Sequence, residues 1–558
     1  MKHPVLLAGA IVNVFLCALC GAAAQSRSAS VLTIWRIPAP LSADPTVQPV
    51  EAGTVALNFL APQLAAIERH PSAKITLAVD PIFVAALEKA ASGESALTGI
   101  AAGQIGADDP RMTQMLDVLS SDIIAPSDVV HSAVGARFIT DASAARLSLL
   151  GDKAAHFSQR DDVDFAAGGI LVSLAASGNA GDHAALFKKN ALTNHDLQVL
   201  ASAFTRACRD VLEKVKRAAA DGTVELAALP AYEPIMPLLI NAGGRSRQVP
   251  YTVDPGAGAD VGYAVEDGLR AARSIAPAQG TYGVLSPAGA YDDEVAVLLQ
   301  AHHAAYGIFS ERVVRANAGA SAESVLDVHS APYRAYLLET SKTSKLPVFF
   351  CSDATSNALD TQLPGAPPSA FAERLNSAVN LALATSPQSE PTVVVVCLNG
   401  TGTVMRRPDR QQILDDLMAL LASAPAIRAT TPRDYLRQHP PTAETYGYAP
   451  GSDAGGFDSW MGSANQMSLW NALADARKAV GGDVALEKPD VRDALLRAES
   501  GMWYFWLAAY QPRYLTDQSL SRFRTLIAEV YRAGGKPVPP NIAPVKLDAP
   551  APVGIPGQ

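Results

Sequence analysis

Clustered cysteine is missing from this sequence. Five cysteines occur in 558 residues, the one Cys-x-x-Cys pair, Cys17 and Cys20, lies in the apolar N-terminal run, and the ten histidines are scattered apart from the adjacent His302 and His303. Structural zinc needs four nitrogen or sulfur ligands at close spacing, so the sequence offers no metal site and implies no cofactor. A basic block is missing too: 45 Lys and Arg stand against 54 Asp and Glu, for a formal charge of −9. That excludes nucleic acid as a partner, because phosphate-backbone binding needs clustered cations. The 40 Gly and 39 Pro follow no three-residue period, which excludes collagen. Charged residues make up only 18% against 49% hydrophobic, a balance that folds rather than staying disordered. No internal repeat or long heptad pattern is present. Past the N-terminus, no segment is continuously apolar over the roughly 20 residues that a membrane span needs.

What is there begins with MKHPVLLAGAIVNVFLCALCGAAAQ. Lys2 precedes an apolar run from Val5 to Leu19, and Ala22-Ala23-Ala24 forms an A-x-A cleavage site. Residues 1–24 therefore read as a secretory signal peptide cleaved after about Ala24, giving a soluble chain that is secreted or periplasmic. A lipoprotein reading through Cys17 or Cys20 lacks the usual small residue before Cys20, where Leu19 stands. Cleavage leaves Cys208, Cys351 and Cys397. The better disulfide pair is Cys351 with Cys397, which both end apolar strand-like runs; buried free thiols are the alternative.

Between residues 31 and 436, short β-branched runs alternate with segments of helical period, the pattern of parallel strands and crossover helices. The expected strands are 31–35, 74–79, 170–175, 223–229, 281–286, 346–351 and 392–398. Seven such runs predict an α/β fold, a distorted parallel (β/α)7-type barrel over residues 25–436. Helical spacing is clear in residues 371–384, where Phe371, Leu375 and Val379 recur, and in 293–309 behind Asp292, Asp293 and Glu294, which suit a helix N-terminus. Residues 437–459 are rich in Pro and Gly and read as a linker. Amphipathic stretches at 467–480, 490–510 and 520–534 predict a C-terminal helical domain over 460–535, and the Pro-rich 536–558 reads as an extended, unfolded tail.

Reactive groups of a parallel α/β barrel sit just after the C-terminal ends of its strands. Those positions carry Trp35-Arg36-Ile37-Pro38-Ala39-Pro40, PAYEPIMPLL (230–239), GVLSPAGAYDDEVAVLL (283–299), VFFCSDATSNALD (348–360) and VVVVCLNGTG (393–402). In order, they resemble the motifs of glycoside hydrolase family 57, in its amylopullulanase-type branch. That branch reads Thr-Pro-Tyr-Tyr-His-Pro-Ile-Leu-Pro-Leu-Leu at the second, Gly-Met-Trp-Pro-Ser-Glu-Gly at the third, Phe-Phe-Arg-Asp-His at the fourth and Asp-Gly-Glu-Asn at the last. The helical region, with Trp460, Trp470, Trp503 and Trp506, is similar as well, so the resemblance runs from about residue 31 to 535. It implies a carbohydrate partner, an α-glucan or other polysaccharide, and a retaining mechanism in which one carboxylate attacks the anomeric carbon while a second carboxyl protonates the leaving oxygen.

The residues at the reacting positions depart from the family. Its nucleophile falls on Ala288 and its acid/base on Ser352, with Asp353 one residue later where the family has His. The two His and the Gln of the first motif become Arg36, Pro38 and Ala39; the His of the second becomes Glu233; the Asp, Glu and Asn of the last become Asn399, Thr401 and Gly402. Tyr232, Pro234, Pro237, Gly283, Gly289, Glu294 and the Trp set are kept. A methyl group cannot form a glycosyl ester, and losing a covalent nucleophile removes several powers of ten in rate.

Asp353 and Glu233 are the remaining candidates for catalytic acid and base. Carboxylates at strand ends also cap helices or meet an Arg such as Arg36, so both readings stay open. Trp35, Tyr232 and Trp460 are candidate sugar-stacking residues. Arg36 is a candidate to favour an anionic sugar such as a uronate, unless a buried acid already pairs with it. Ser352 has no His placed beside it to activate its hydroxyl. A metal-dependent deacetylase would need an Asp and two His that are not found. The first expectation is therefore a secreted, catalytically impaired family 57-like protein that binds a glycan or an envelope partner. The alternative is a divergent retaining α-glycosidase or glucanotransferase using Glu233 and Asp353, its carboxyls about 5 to 5.5 Å apart.

Overall fold

The computed structural model describes residues 27–40, 42, 44–106, 108–120, 159–179, 183, 185–186, 189, 192–240, 257–318, 331–341, 344–361, 365–407, 409–445, 447–508 and 513–542. The leader reading of residues 1–24, with Cys17 and Cys20, lies outside the described residues.

Seven parallel strands close into a barrel: β1 (Ala29–Ile37), β2 (Ile75–Val79), β3 (Val224–Ala228), β4 (Val284–Leu285), β5 (Gly307–Ser310), β7 (Ser344–Cys351) and β8 (Val393–Asn399). Each pairs with the next, and β8 pairs with β1 from Ser30↔Val393 to Arg36↔Asn399. The seam is narrow, because β7 meets β8 at Cys351↔Val395 alone. Lower down, the same edge of β7 is taken by antiparallel β6 (Tyr336–Ser341), which β10 (Glu444–Thr445) extends. That wedge is the distortion of the barrel. The short β9 (Ile427–Ala429) covers the start of β1 beside β2. At the seam Cys351 is disulfide-bonded to Cys397, with Cα atoms 5.9 Å apart, whereas Cys208 is free and buried.

One expected strand is corrected. The run 170–175 lies inside the helix Gln159–Ala176, and its Ile170, Leu171, Val172 and Leu174 are all buried. A short apolar run has no period to separate a buried strand from a buried helix, and this one sits among helices. Its place in the barrel is taken by β5, a four-residue strand inside a segment read as helical. The helix Asp293–Ala301 ends at His302, and the left-handed His303 (φ 60°) turns the chain into β5.

Apolar side chains fill the middle of the barrel. Leu32, Ile34, Ala78, Ala227, Leu229, Leu285, Ile308, Phe349 and Val395 form that cluster. At its base, buried Glu225 accepts from the hydroxyl of Tyr306 (2.6 Å) and the main-chain N–H of Arg433 (3.0 Å). Outside, the helices Gln48–Val55 and Asn194–Ala220 cross closely. A Cβ on Gly53 would stand 2.3 Å from Phe204 and 2.8 Å from Cys208, so the crossing requires glycine. The apolar segment Gln48–Arg69 is long enough to span a bilayer, yet 94% of its most apolar window is buried within the fold, which makes it a core helix.

Residues 437–459 are fastened at several points. β10 pairs with β6, Gly451 exchanges hydrogen bonds with Tyr291 (2.8 and 3.2 Å), and Ser452 and Phe457 are buried. Beyond them the helices Ala464–Val480, Pro489–Ala498 and Arg513–Ala533 pack together. Trp470 stacks on Tyr504 with ring centroids 3.8 Å apart. Arg477 reaches back to Asp260 on the barrel helix Gly258–Ile275 at 2.5 Å. Of the Pro-rich tail, residues 536–542 are described without helix or strand, and Arg524 donates to the carbonyl of Ile542 (3.0 Å). The rest of the tail lies outside the described residues.

Candidate functional site

Alternation along β1 decides what reaches the barrel mouth. Leu32 and Ile34 face inward, whereas Val31, Trp35 and Ile37 pack between barrel and helices. Arg36 continues the inward series and emerges at the mouth, its side chain 38% exposed, where it forms an ion pair with the 8%-exposed Glu233. The stacking role expected of Trp35 is corrected accordingly, since the ring is 1% exposed behind the strand. The uronate reading of Arg36 is corrected as well: a buried acid already answers its charge.

The loop after β3 holds Glu233 in an unusual backbone. Tyr232 and Glu233 are both left-handed, at φ 59° and 53°. Such conformations cost about 1–3 kcal/mol each and persist where surroundings over-determine them. Here Asp80 does so. It caps the helix Pro81–Ser92 through Ile82 N–H (2.7 Å) and also accepts from the N–H of Tyr232 (2.8 Å). Burial, with the Glu233 charge beside it, holds the Asp80 carboxyl well above the usual range. Glu233 N–H donates to Pro230 (2.9 Å), and Gly501 from the helical domain donates to the carbonyl of Glu233 (3.2 Å). Tyr232 is spent in that interface: its hydroxyl donates to Asp493 (3.0 Å) and its ring packs with Leu496. Trp460 is 5% exposed against Phe505, and its carbonyl accepts from the indole of Trp470 (3.0 Å). Neither aromatic presents an open ring face at the mouth, which corrects the stacking reading of both.

Across the barrel, β4 ends in the turn Pro287–Gly289, with half-buried Ala288 at φ 52° and Gly289 at φ 56°. A Cβ on Gly289 would lie 2.6 Å from the nitrogen of Ser310, so this turn is seated on the end of β5. The carbonyl of Ala288 accepts from the main-chain N–H of Asp453 (2.9 Å). Burial pushes the Asp453 carboxyl up to about 6, moderated by the charges of Arg36 and Arg312.

At the end of β7, Ser352 is 3% exposed and turned into the helix Asp353–Thr361, donating to Thr355 (3.0 Å). Asp353 begins that helix and accepts from the hydroxyl of Ser310 (2.5 Å). Burial lifts its carboxyl to about 7; the Ser310 bond opposes the rise, and Glu311 and Asp453 add to it. Asp360, a helix turn or two on, accepts from Asn399 N–H (2.9 Å) and is raised to about 7 by burial, moderated by Arg36. The mouth therefore gathers Arg36, Glu233, Asp353, Asp360 and Asp453 around a left-handed Ala288. Among the described residues no group of three or more His, Cys, Asp or Glu is arranged to hold a metal.

Glu233 and Asp353 are legible in the motifs, whereas nothing in the motifs marks Asp360 or Asp453 as a site residue. Asp360 stands at the end of the Asp353 motif, one helix length along. Asp453 comes from the Pro/Gly-rich segment, where no periodicity announces a site. Two surface clefts, along Asp517–Arg532 and between Ala61 and Arg217, are lined by no residue of the mouth.

Known proteins share this architecture. The glycosyl hydrolase family 57 model matches residues 172–447. The fold is similar to the branching enzyme of Pyrococcus horikoshii, at TM-score 0.56 and 12% identity over 90% of this chain and 89% of that one. It is also similar to the branching enzyme of Thermococcus kodakaraensis (0.54, 12%, 90% of each chain). The α-amylase AmyC of Thermotoga maritima gives 0.51 and 10% identity over 91% of this chain and 93% of that one. No curated protein matches. The closed seven-stranded parallel barrel and its helical completion agree with these structures over nearly their whole length. Residues 172–447 thus carry a divergent glycoside hydrolase family 57 match, and the chain as a whole shares the fold of these structures.

Proposed function

We propose that this chain is an exported family 57 protein that binds a glycan at its barrel mouth and does not carry out the family's covalent displacement. The observation that carries the reading is Ala288. The resemblance assigns the nucleophile there, and the strand end carries a half-buried methyl, on a left-handed backbone held by Asp453 and Gly289. Retention of strained backbone at Tyr232, Glu233 and Ala288 supports a mouth kept for binding, since strain of this kind clusters at ligand sites. An α-glucan is the favoured ligand, because the similar structures are named as branching enzymes and an α-amylase. Export rests on residues 1–24.

The rival reading, retention by Glu233 and Asp353, loses support because Glu233 is held by Arg36. The test is to incubate the mature protein with maltohexaose, amylopectin and a uronic-acid glycan, measuring binding by calorimetry and trapping with an activated glycosyl fluoride by mass spectrometry. Binding to the α-glucans with no covalent adduct is expected. A glycosylated protein, or binding to none of the three, would sink the proposal.

A further inference from the structure

Three acidic features outside the family's covalent chemistry compete for explanation. Buried Glu499 sits beside Asp260 and Arg477 beneath the helical domain; Glu225 plugs the barrel base; and Asp453 reaches the mouth. The first two are 0% and 1% exposed and face no opening. The third lies on the site itself.

We propose that Asp453 is a relocated catalytic carboxylate, which activates a water for attack on the glycan while Asp353 protonates the leaving oxygen. This rests on the reading that the mouth binds a glycan, and it adds direct, single-step hydrolysis to that reading.

Position supports the assignment first. The side chain lost from residue 288 would have projected from the end of β4; the residue bonded to that spot through its main chain is Asp453. The loop is anchored on both sides of it, by Gly451 paired with Tyr291 and by Ser452 paired with Gly455. Asp353 stands at the end of β7, and only β5 separates β7 from β4 in the barrel. Two interstrand steps of about 4.8 Å place the two main chains about 10 Å apart. Carboxyls that must leave room for a water lie about 6.5–9.5 Å apart, whereas a covalent nucleophile needs about 5–5.5 Å. A carboxylate delivered by a loop over β4 therefore suits the wider arrangement.

The electrostatics agree. The Asp353 carboxyl, raised to about 7, is substantially protonated at neutral pH, while Asp453, near 6 between Arg36 and Arg312, is mostly ionised. Burial raises both, and the carboxyl beside Arg36 and Arg312 stays the more acidic of the two, which suits Asp353 to the acid role and Asp453 to the base. In the step, water gives a proton to Asp453 as its oxygen bonds the anomeric carbon. The glycosidic C–O bond breaks, and its electron pair takes the proton of Asp353. One water is consumed and two hydroxyls form, one on the anomeric carbon and one on the leaving sugar; the proton gained by Asp453 returns to Asp353 through solvent, no co-reactant is needed, and the configuration at carbon inverts.

The experiment uses the mature protein with maltohexaose, following binding by calorimetry, cleavage by chromatography and product anomer by NMR. Slow cleavage giving the β anomer is expected. Asp453→Asn and Asp353→Asn should each lose at least 100-fold in rate with Kd changed less than threefold, and Asp453→Glu should recover part of the loss. Melting temperatures within a few degrees of wild type certify the folds. Binding without cleavage overturns the relocation and leaves glycan binding standing. Absence of binding overturns both. An α-anomeric product, or full activity in Asp453→Asn, overturns the relocation alone.

Discussion

Cys351 and Cys397 join the two barrel strands that share a single paired position, Cys351↔Val395. The covalent link thus spans the place where hydrogen bonding is thinnest. It closes a loop with a sequence separation of 46, for which the chain-entropy account gives about 4 kcal/mol. Reduction, or the pair Cys351→Ala and Cys397→Ala, should lower thermal stability by several degrees or more. An unchanged melting curve in reductant would contradict this.

Removing Arg36 should cost more than neutralising its partner. Arg36→Ala leaves the 8%-exposed Glu233 charged and unpaired, whereas Glu233→Gln leaves an amide that can still accept. A fully buried pair loses about 3–5 kcal/mol when broken, and the 38% exposure of Arg36 brings the expectation down to about 1–2 kcal/mol. Urea unfolding at pH 7 checks the order of the two variants; a less stable Glu233→Gln would reverse it.

Asp353, Asp360 and Asp453 make stability fall as pH rises. Their carboxyls titrate near 7, 7 and 6 in the fold, above the ordinary 3.8, so the native state holds more protons than the unfolded chain in between. Their contribution is fully present below about pH 4 and lost by about pH 7. Asp353→Asn should flatten the decline between pH 5 and 8 by an amount on the order of 1–3 kcal/mol. Denaturant titrations at the two pH values provide the measurement, and an unchanged slope would refute the assignment.

Asp80 should matter to binding without touching a ligand. Its carboxyl holds the helix Pro81–Ser92 and the left-handed Tyr232 together. Asp80→Ala should destabilise by about 2 kcal/mol through the lost cap and the orphaned N–H, and weaken maltohexaose binding as the Glu233 loop relaxes. Asp80→Asn, which keeps an acceptor, should restore part of both. Calorimetry on the two variants distinguishes this from simple loss of fold.

Gly53→Ala should destabilise by about 1–3 kcal/mol, because its methyl would meet Phe204 at 2.3 Å. Gly258→Ala, with nothing within 4 Å, serves as the control and should be neutral or slightly stabilising. Equal melting temperatures for the two would show that the helix crossing has slack.

Much of the barrel is legible in the sequence because β-branched runs such as 392–398 cannot make comfortable surface helices. Residues 170–175 mislead because an all-apolar run carries no phase, and β5 is hidden because four residues behind a helix leave no alternation to read. The mouth is legible where a residue lies at or just past the end of a strand, as Arg36 and Asp353 do. Counting in twos from Ile34 sends Arg36 inward and Trp35 outward, so the burial of that ring is implicit in the alternation itself. Nothing local marks Asp453, whose position depends on a main-chain bond to Ala288, far earlier in the chain.

That dependence has a consequence for how the molecule is made. β1 is among the first segments synthesised, yet its partner β8 begins at residue 393, and the chain that lies over Ala288 comes later still. Pairings so distant in sequence form slowly. A nascent or clipped chain ending before residue 450 would expose an unfinished rim, and its capture by chaperones or proteases should persist until the helical residues that reach the mouth, Asp493 and Gly501 among them, are in place.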